Sequence, residues 1–127
     1  MSIEDMARAY AAAWSSGDAE KVASFYAEDG QITINRGDPH TGRAALLDMI
    51  KGFYAEFPGL TVTLDHLRIA GNHVMFGWVL DGTHAETGKT VSVLGWEEWD
   101  LDKSMKVKTS LGWFDAVEYD RQVQEGV

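Results

Sequence analysis

Residues 73–115, HVMFGWVLDGTHAETGKTVSVLGWEEWDLDKSMKVKTSLGWFD, decide the fold. Apolar residues recur there with a period of two in the runs 73–84, 90–100 and 105–115, as in pleated strands whose successive side chains point to opposite faces. The Ala85 to Lys89 loop, with its Thr87-Gly88, and the Leu101 to Ser104 turn part the runs, so they read as consecutive antiparallel strands. Working outward, 61–70 reads as one more strand of this kind, joined through Gly71-Asn72.

Before Thr61 the period is helical. Ser2 caps a helix carrying Ile3, Met6, Tyr10, Ala13 and Trp14, with Asp5 as capping-box partner, and Ser15-Ser16-Gly17 ends it. Asp18 caps a second helix with Val22, Phe25 and Tyr26 on one face, stopped by Glu28-Asp29-Gly30. Gln31 to Asn35 alternates as a strand, and Arg36 to His40 is a loop. Thr41 caps a third helix with a stripe of Leu46, Leu47, Ile50, Phe53, Tyr54 and Phe57, broken by Pro58-Gly59. The expected fold is α+β in the order ααβαββββ, with three N-terminal helices packed on a curved, mainly antiparallel sheet.

With 127 residues, no internal repeat and no low-complexity linker, the expectation is a single domain spanning 1–127. The absence of cysteine excludes a disulfide scaffold, thiolate catalysis and cysteine-ligated metal centres. Eleven Lys+Arg against 20 Asp+Glu give a net charge of −9, which repels phosphate backbones and anionic lipid, so neither nucleic acid nor membrane is an expected partner. The acidic MSIEDMARAY start has no signal-peptide pattern, no apolar run reaches membrane-spanning length, and a cytoplasmic location is expected.

The shortest plausible hairpin loops set Gly77 opposite Glu97 and Glu97 opposite Lys108. In this assumed register one face carries Phe76, Trp78, Leu80, Leu94, Trp96, Leu111 and Trp113. The other carries Gly77, Val79, Asp81, Val93, Gly95, Glu97, Trp99, Lys108, Ser110, Gly112 and Phe114. Gly77, Gly95 and Gly112 lie together on this second face, as a scooped hollow or a sharply curved sheet requires. Both faces are apolar but the helices cover one, so a second copy meeting Trp78, Trp96 and Trp113 is the simplest other cover, giving a homodimer.

The element order, with Trp14-x-x-Gly17-Asp18, Phe25-Tyr26-Ala27-Glu28-Asp29, Thr41-Gly42-Arg43-Ala44-Ala45, Phe57-Pro58-Gly59-Leu60, Gly82-Thr83-His84, Asp115 and Arg121-Gln122, resembles the SnoaL-like polyketide cyclase branch of the nuclear-transport-factor-like fold. The resemblance covers nearly the whole chain and implies a conical pocket between helices and sheet, commonly in a homodimer. Relatives include cyclases, ketosteroid isomerase, limonene epoxide hydrolase, dehydratases and non-catalytic modules, so the fold leaves function open. Tyr10 matches the tyrosine that donates to the developing oxyanion in the isomerase. The isomerase's general base falls at Ile34 and its protonated aspartate at Gly95, while the cyclases' acid/base aspartate falls at Gly112. Neither reaction carries over intact.

The resemblance makes the Gly95 and Gly112 face the pocket face. Asp81, Glu97 and Ser110 then point inward, where desolvation raises a carboxyl pKa toward the range useful for proton transfer. Asp81 is a replacement for the missing carboxylate, or a solvated rim residue beside the hairpin loop. Glu97 is a pocket acid, or the partner of Lys108 in a cross-strand ion pair. His40, in the loop near the expected pocket mouth, suits proton transfer or is simply exposed. His84 reads as a structural or interface histidine. Trp14, Tyr26, Phe53, Val79, Trp99 and Phe114 join Gly95, Ser110 and Gly112 as pocket-lining candidates for a flat, hydrophobic ligand. No metal-ligand spacing or phosphate loop is present, so no metal or other cofactor is expected. The expectation is a pocket protein for a hydrophobic or aromatic carbonyl compound. It is either a cofactor-free cyclase, isomerase or dehydratase using Tyr10 with Asp81, Glu97 or His40, or a non-catalytic binding or dimerisation module.

Overall fold

Ser2 Oγ accepts the Asp5 amide while Asp5 Oδ2 accepts that of Ser2, and this reciprocal cap starts α1 (Ile3–Ser15) in the computed structural model, which describes residues 1–127. Asp18 caps the five-residue α2 (Ala19–Ala23) through the amides of Glu20 and Lys21. There follow β1 (Tyr26–Ile34), β2 (His40–Thr41), α3 (Arg43–Glu56), β3 (Thr61–Ala70), β4 (His73–Thr83), β5 (Thr90–Leu101), β6 (Val107–Phe114) and α4 (Ala116–Glu125). The single sheet runs β2-β1-β6-β5-β4-β3, antiparallel except between β1 and β6. No helix is long and apolar enough to cross a membrane.

The order ααββαββββα corrects the expected ααβαββββ. A fourth helix closes the chain. Its signals are ordinary: Asp115 accepts the Glu118 amide at 3.0 Å as the N-cap, and Gly126 at φ 86° ends it. Gln122 of α4 ties the helix to β5 by accepting the Ser92 amide and donating to the Ser92 carbonyl. The second helix is shorter than its apolar spacing suggests. Phe25 and Tyr26 leave it for the sheet, because the Phe25 carbonyl accepts the Val107 amide and Tyr26 pairs with Val107. Thr41 does not cap α3 either. It lies in β2 with its hydroxyl donated to Gln31, and Gly42 at φ 86° makes the turn into the helix.

The limits of β3 through β6 agree with the sequence to within two residues and β1 starts five residues before the expected Gln31, but the register differs. Gly77 pairs with Trp96 and Trp78 with Gly95, one residue away from the expected pairing. Since side chains alternate, that single step moves all of β4 to the opposite face. Trp96 pairs with Trp113 and Glu97 with Gly112, an even displacement that keeps β6 on its expected face. The inner face, under the helices, therefore holds Phe76, Trp78 and Leu80 beside Val93, Gly95, Glu97, Ser110, Gly112 and Phe114. Gly77, Val79 and Asp81 go to the outer face with Leu94, Trp96, Leu111 and Trp113.

The glycines divide accordingly. A Cβ on Gly95 would strike the Trp78 ring and the Trp113 carbonyl, whereas one on Gly77 would strike the His66 imidazole on the outer face. Each leaves room for an aromatic ring laid across the neighbouring strand. Of the three, only Gly112 would take a Cβ without a clash, in ordinary contact with Ile34 at 3.6 Å and Ile32 at 3.7 Å. The core fills the gap between helices and sheet, with Tyr10 from α1, Leu46 and Ile50 from α3, and Phe76 and Trp99 from the sheet fully enclosed.

Candidate active site

Glu97 stands on the inner face of β5, 6% exposed, without a basic side chain among its partners. Four donors converge on it from three other parts of the fold and from its own strand. Oε1 accepts from Tyr26 Oη at 3.0 Å, Trp99 Nε1 at 2.9 Å and Ser110 Oγ at 2.9 Å. Tyr10 Oη lies 3.0 Å from Oε2 and 3.2 Å from Oε1. Tyr10 and Tyr26 also touch each other, hydroxyl to hydroxyl, at 3.0 Å.

Each donor arrives for a local reason. The Ser2 cap sets the start of α1 and so the turn on which Tyr10 faces the sheet. Parallel pairing with β6 turns the Tyr26 side chain inward. Trp99 sits two residues along β5 from Glu97 and therefore on the same face, stacked on Phe76 at 5.0 Å. Ser110 pairs directly with Trp99 across the β5–β6 ladder. The Tyr10 ring meets the edges of both Trp99 and Phe76, at 5.1 and 5.3 Å, which fixes where its hydroxyl stands.

Burial raises the Glu97 carboxyl pKa above the usual glutamate range, and the four donors oppose the rise without cancelling it. Tyr10 and Tyr26 are held well above the ordinary tyrosine value, chiefly by burial and then by the Glu97 charge. Both remain hydroxyl donors at any physiological pH.

Beside this network lies a cavity of about 70 Å³. Glu97 is the one member of the network on its wall, and Tyr10, Tyr26, Trp99 and Ser110 stand behind it. The rest of the wall is almost wholly apolar. Trp14, Met49 and Phe53 contribute from the helices, Ile32, Ile34, Val62, Phe76, Trp78, Leu80, Val93, Gly112, Trp113 and Phe114 from the sheet, and Tyr119 from α4. The Trp14 and Phe53 rings meet edge to face at 6.0 Å, and the Trp78 and Phe114 rings lie 6.4 Å apart.

Of the residues expected at the site, Trp14, Phe53, Glu97, Gly112 and Phe114 border the cavity, and Tyr10, Tyr26, Trp99 and Ser110 hold Glu97 from behind. Gly95 underlies Trp78. Asp81 and Val79 do not belong here: the register turns both outward, and Asp81 is exposed opposite Ser92 and Thr61. His40 sits on the edge strand, paired with Ile32 of the cavity wall but not itself lining the cavity. The expected Glu97–Lys108 pair is absent because Glu97 faces Gly112 and Lys108 is exposed. Trp78, Phe76, Leu80 and Tyr119 were not foreseen as lining. The first three followed the misplaced face of β4, and Tyr119 followed the unrecognised α4.

His84 is structural, as expected. It is buried against Phe57, with Nδ1 accepting the Thr87 amide at 3.3 Å and Nε2 at 3.3 Å from Glu56 Oε1. The same Glu56 oxygen accepts the Tyr119 hydroxyl at 2.6 Å, which joins α4 to the end of α3 beside the cavity.

Comparison with known proteins places this geometry. A putative SnoaL-like polyketide cyclase from Jannaschia sp. CCS1 superposes with a TM-score of 0.85 at 14% identity, over 98% of this chain and 92% of that one. A putative polyketide cyclase from Xanthomonas campestris pv. campestris gives 0.80 at 22% identity, over 95% and 96% of the two chains. A protein with a ketosteroid isomerase-like fold from Catenulispora acidiphila, in complex with trimethylamine, gives 0.77 at 20% identity, over 84% and 82%. These likenesses establish a ketosteroid isomerase-like α+β fold. No curated protein matches the chain. The model of the SnoaL-like domain matches residues 7–107, most of the chain, and the protein belongs to that family.

Proposed function

We propose that the cavity binds a small apolar carbonyl compound and that Glu97 exchanges a proton with it, in cofactor-free chemistry of the cyclase or isomerase kind. One observation carries this reading: a buried carboxyl without a cationic partner is the only acid on the wall of an otherwise aromatic and aliphatic cavity. A neutral carboxyl donates a hydrogen bond to a carbonyl oxygen, and its conjugate base accepts a proton from the carbon beside that carbonyl. The raised pKa brings both forms nearer to neutral pH, where each is useful. Tyr10 acts through Glu97 in this reading, not on the ligand itself, since it stands behind the carboxyl.

The test is solvent exchange. Small cyclic and aromatic ketones are incubated with the protein in D2O, and deuterium entering beside the carbonyl is followed by NMR. Glu97→Gln is expected to lower the catalysed rate by about 10²-fold or more, the usual contribution of a general acid or base. Undiminished exchange in Glu97→Gln overturns the assignment. A second reading, ligand binding without chemistry, has one observation in its favour, namely that donors already occupy most of the acceptor capacity of Glu97. Binding of ketones with no exchange in the wild type decides for it.

We also propose a homodimer through the outer face of the sheet. Leu94 and Leu111 are 66% and 45% exposed there, beside the Trp96–Trp113 stack at 6.5 Å. Two copies of a chain charged −9 repel at long range, so this apolar patch is the surface on which they gain by meeting. Trp78, facing inward, takes no part in it.

A further inference from the structure

The three hydroxyl and carboxyl groups at the heart of the site form a closed ring. Glu97 Oε2 to Tyr10 Oη, Tyr10 Oη to Tyr26 Oη, and Tyr26 Oη to Glu97 Oε1 are each 3.0 Å. With Glu97 ionised, Tyr10 and Tyr26 both donate to the carboxylate and the contact between the two tyrosines carries no proton. With Glu97 neutral, Oε2–H requires an acceptor, and Tyr10 Oη is the only group that touches that oxygen. Tyr10 then has to send its own proton elsewhere: Oε1, 3.2 Å away, already accepts from Tyr26, Trp99 and Ser110, which leaves Tyr26 Oη at 3.0 Å. The outcome is a one-way ring in which each hydroxyl donates once and accepts once.

The two carboxyl oxygens are not equivalent. Trp99 and Ser110 add two further donors to Oε1 and none to Oε2. Free acceptor capacity therefore remains on Oε2.

We propose that Tyr10 and Tyr26 form a hydroxyl switch around Glu97, in which Tyr10 donates to Oε2 of the carboxylate and turns to Tyr26 when Oε2 takes up a proton, so that Oε2 is the oxygen that exchanges protons with the cavity. In the forward step a C–H bond of the ligand breaks, its electron pair moves toward the ligand carbonyl, and an O–H bond forms at Oε2. Tyr10 rotates its own O–H to Tyr26 without any bond breaking. The reverse rotation accompanies return of the proton to the ligand, and no other reactant is consumed. Tyr10 and Tyr26 are positioning residues that keep a buried carboxyl satisfied in both of its states, where an unpaired form would be penalised. This assignment rests on the proton-exchange reading for its use, but its geometry stands apart from it.

The groups facing Glu97 are Tyr10 from α1, Tyr26 from β1, Ser110 from β6 and Trp99 from its own strand, with no charged side chain among them. Titration of Glu97 in ligand-free protein, followed by NMR of labelled glutamate side-chain carboxyl carbons, therefore tests the switch without any substrate. Ser110 only donates to the carboxyl, so Ser110→Ala removes more from the anion than from the acid and is expected to raise the midpoint by about one pH unit. Tyr26 donates to the carboxyl and also receives Tyr10 in the acid form. Tyr26→Phe strips support from both forms, and is expected to move the midpoint by less than half as much, or downward. A rise in Tyr26→Phe equal to that in Ser110→Ala makes Tyr26 a plain donor and overturns the proposal.

Infrared difference spectra of the wild type give a readout that needs no tyrosine variant. Tyrosine C–O bands, identified by ring labelling, should shift as Glu97 protonates and stay still in Glu97→Gln. Static bands during wild-type protonation overturn the switch. If the switch passes both measurements but the wild type exchanges no ketone deuterium, the chemistry falls and the switch stands.

Discussion

A buried carboxyl with a raised pKa is a stability statement as well as a chemical one. Glu97 binds its proton more tightly in the folded chain than in the unfolded chain, because burial penalises the anion more than its four donors relieve it. Between the ordinary glutamate pKa and the raised one, the folded state holds more protons, so stability falls as pH rises through that window. Below the ordinary pKa both states are protonated and the contribution is fully present. Glu97→Gln, which is neutral throughout and keeps an acceptor and donors in the same place, should flatten this part of the profile. Melting temperatures of the two proteins across that window check it: their difference should shrink or reverse as pH rises. A constant difference would mean that Glu97 is not shifted. The residue itself was visible in the sequence, but its partners were not. Alternation along β5 sets Glu97 on the face of Gly95 and sends Glu98 to the other, where it is exposed and accepts Trp113 Nε1 at 2.7 Å.

At the level of elements, strand limits and register obey different evidence. Limits follow from alternation and turn residues, both local, and they were legible for β3 through β6. Register between β4 and β5 depends on how many residues the loop after Thr83 leaves unpaired, and one residue there exchanges the two faces of a strand. The glycines record the true register. Gly95 lies under the Trp78 ring and beside the Trp113 carbonyl, and Gly77 lies under an imidazole. These settings make a testable contrast. In Gly95→Ala the new methyl meets backbone as well as a packed indole, and a loss of about 1–3 kcal/mol is expected, as for overpacking elsewhere. In Gly77→Ala it meets only His66, a half-exposed side chain able to swing away, so the loss should be smaller. Denaturant unfolding of the two variants measures both, and a Gly77→Ala loss as large as that of Gly95→Ala contradicts this placing of the rings. The helix α4 could have been read from Asp115, Glu118 and Gly126, which are ordinary start and stop signals.

For the molecule as a whole, the helices cover one face of the sheet and leave the other bare. Trp96→Glu sets a charge in the middle of the exposed apolar patch and leaves the cavity side of the sheet untouched. If the proposed dimer forms there, the wild type sediments as a dimer and Trp96→Glu as a monomer with an unchanged circular dichroism spectrum. A monomeric wild type at high concentration removes the proposal. Alternation sends Glu97 inward and Trp96 outward from adjacent positions.

The sequence by itself determined the α+β class, the single layer of helices, the limits of β3 through β6 and the family resemblance now borne out by the SnoaL-like match. These rest on periodicity, capping residues and motif order, which are properties of neighbours along the chain. Only the tertiary structure decided that Glu97 and not Asp81 faces the cavity, that Tyr10 stands behind a carboxyl, and that Trp78 belongs to the pocket. The reason is that each depends on which strand residue lies opposite which, a choice made by packing across the sheet between residues as distant in sequence as Tyr10 and Glu97.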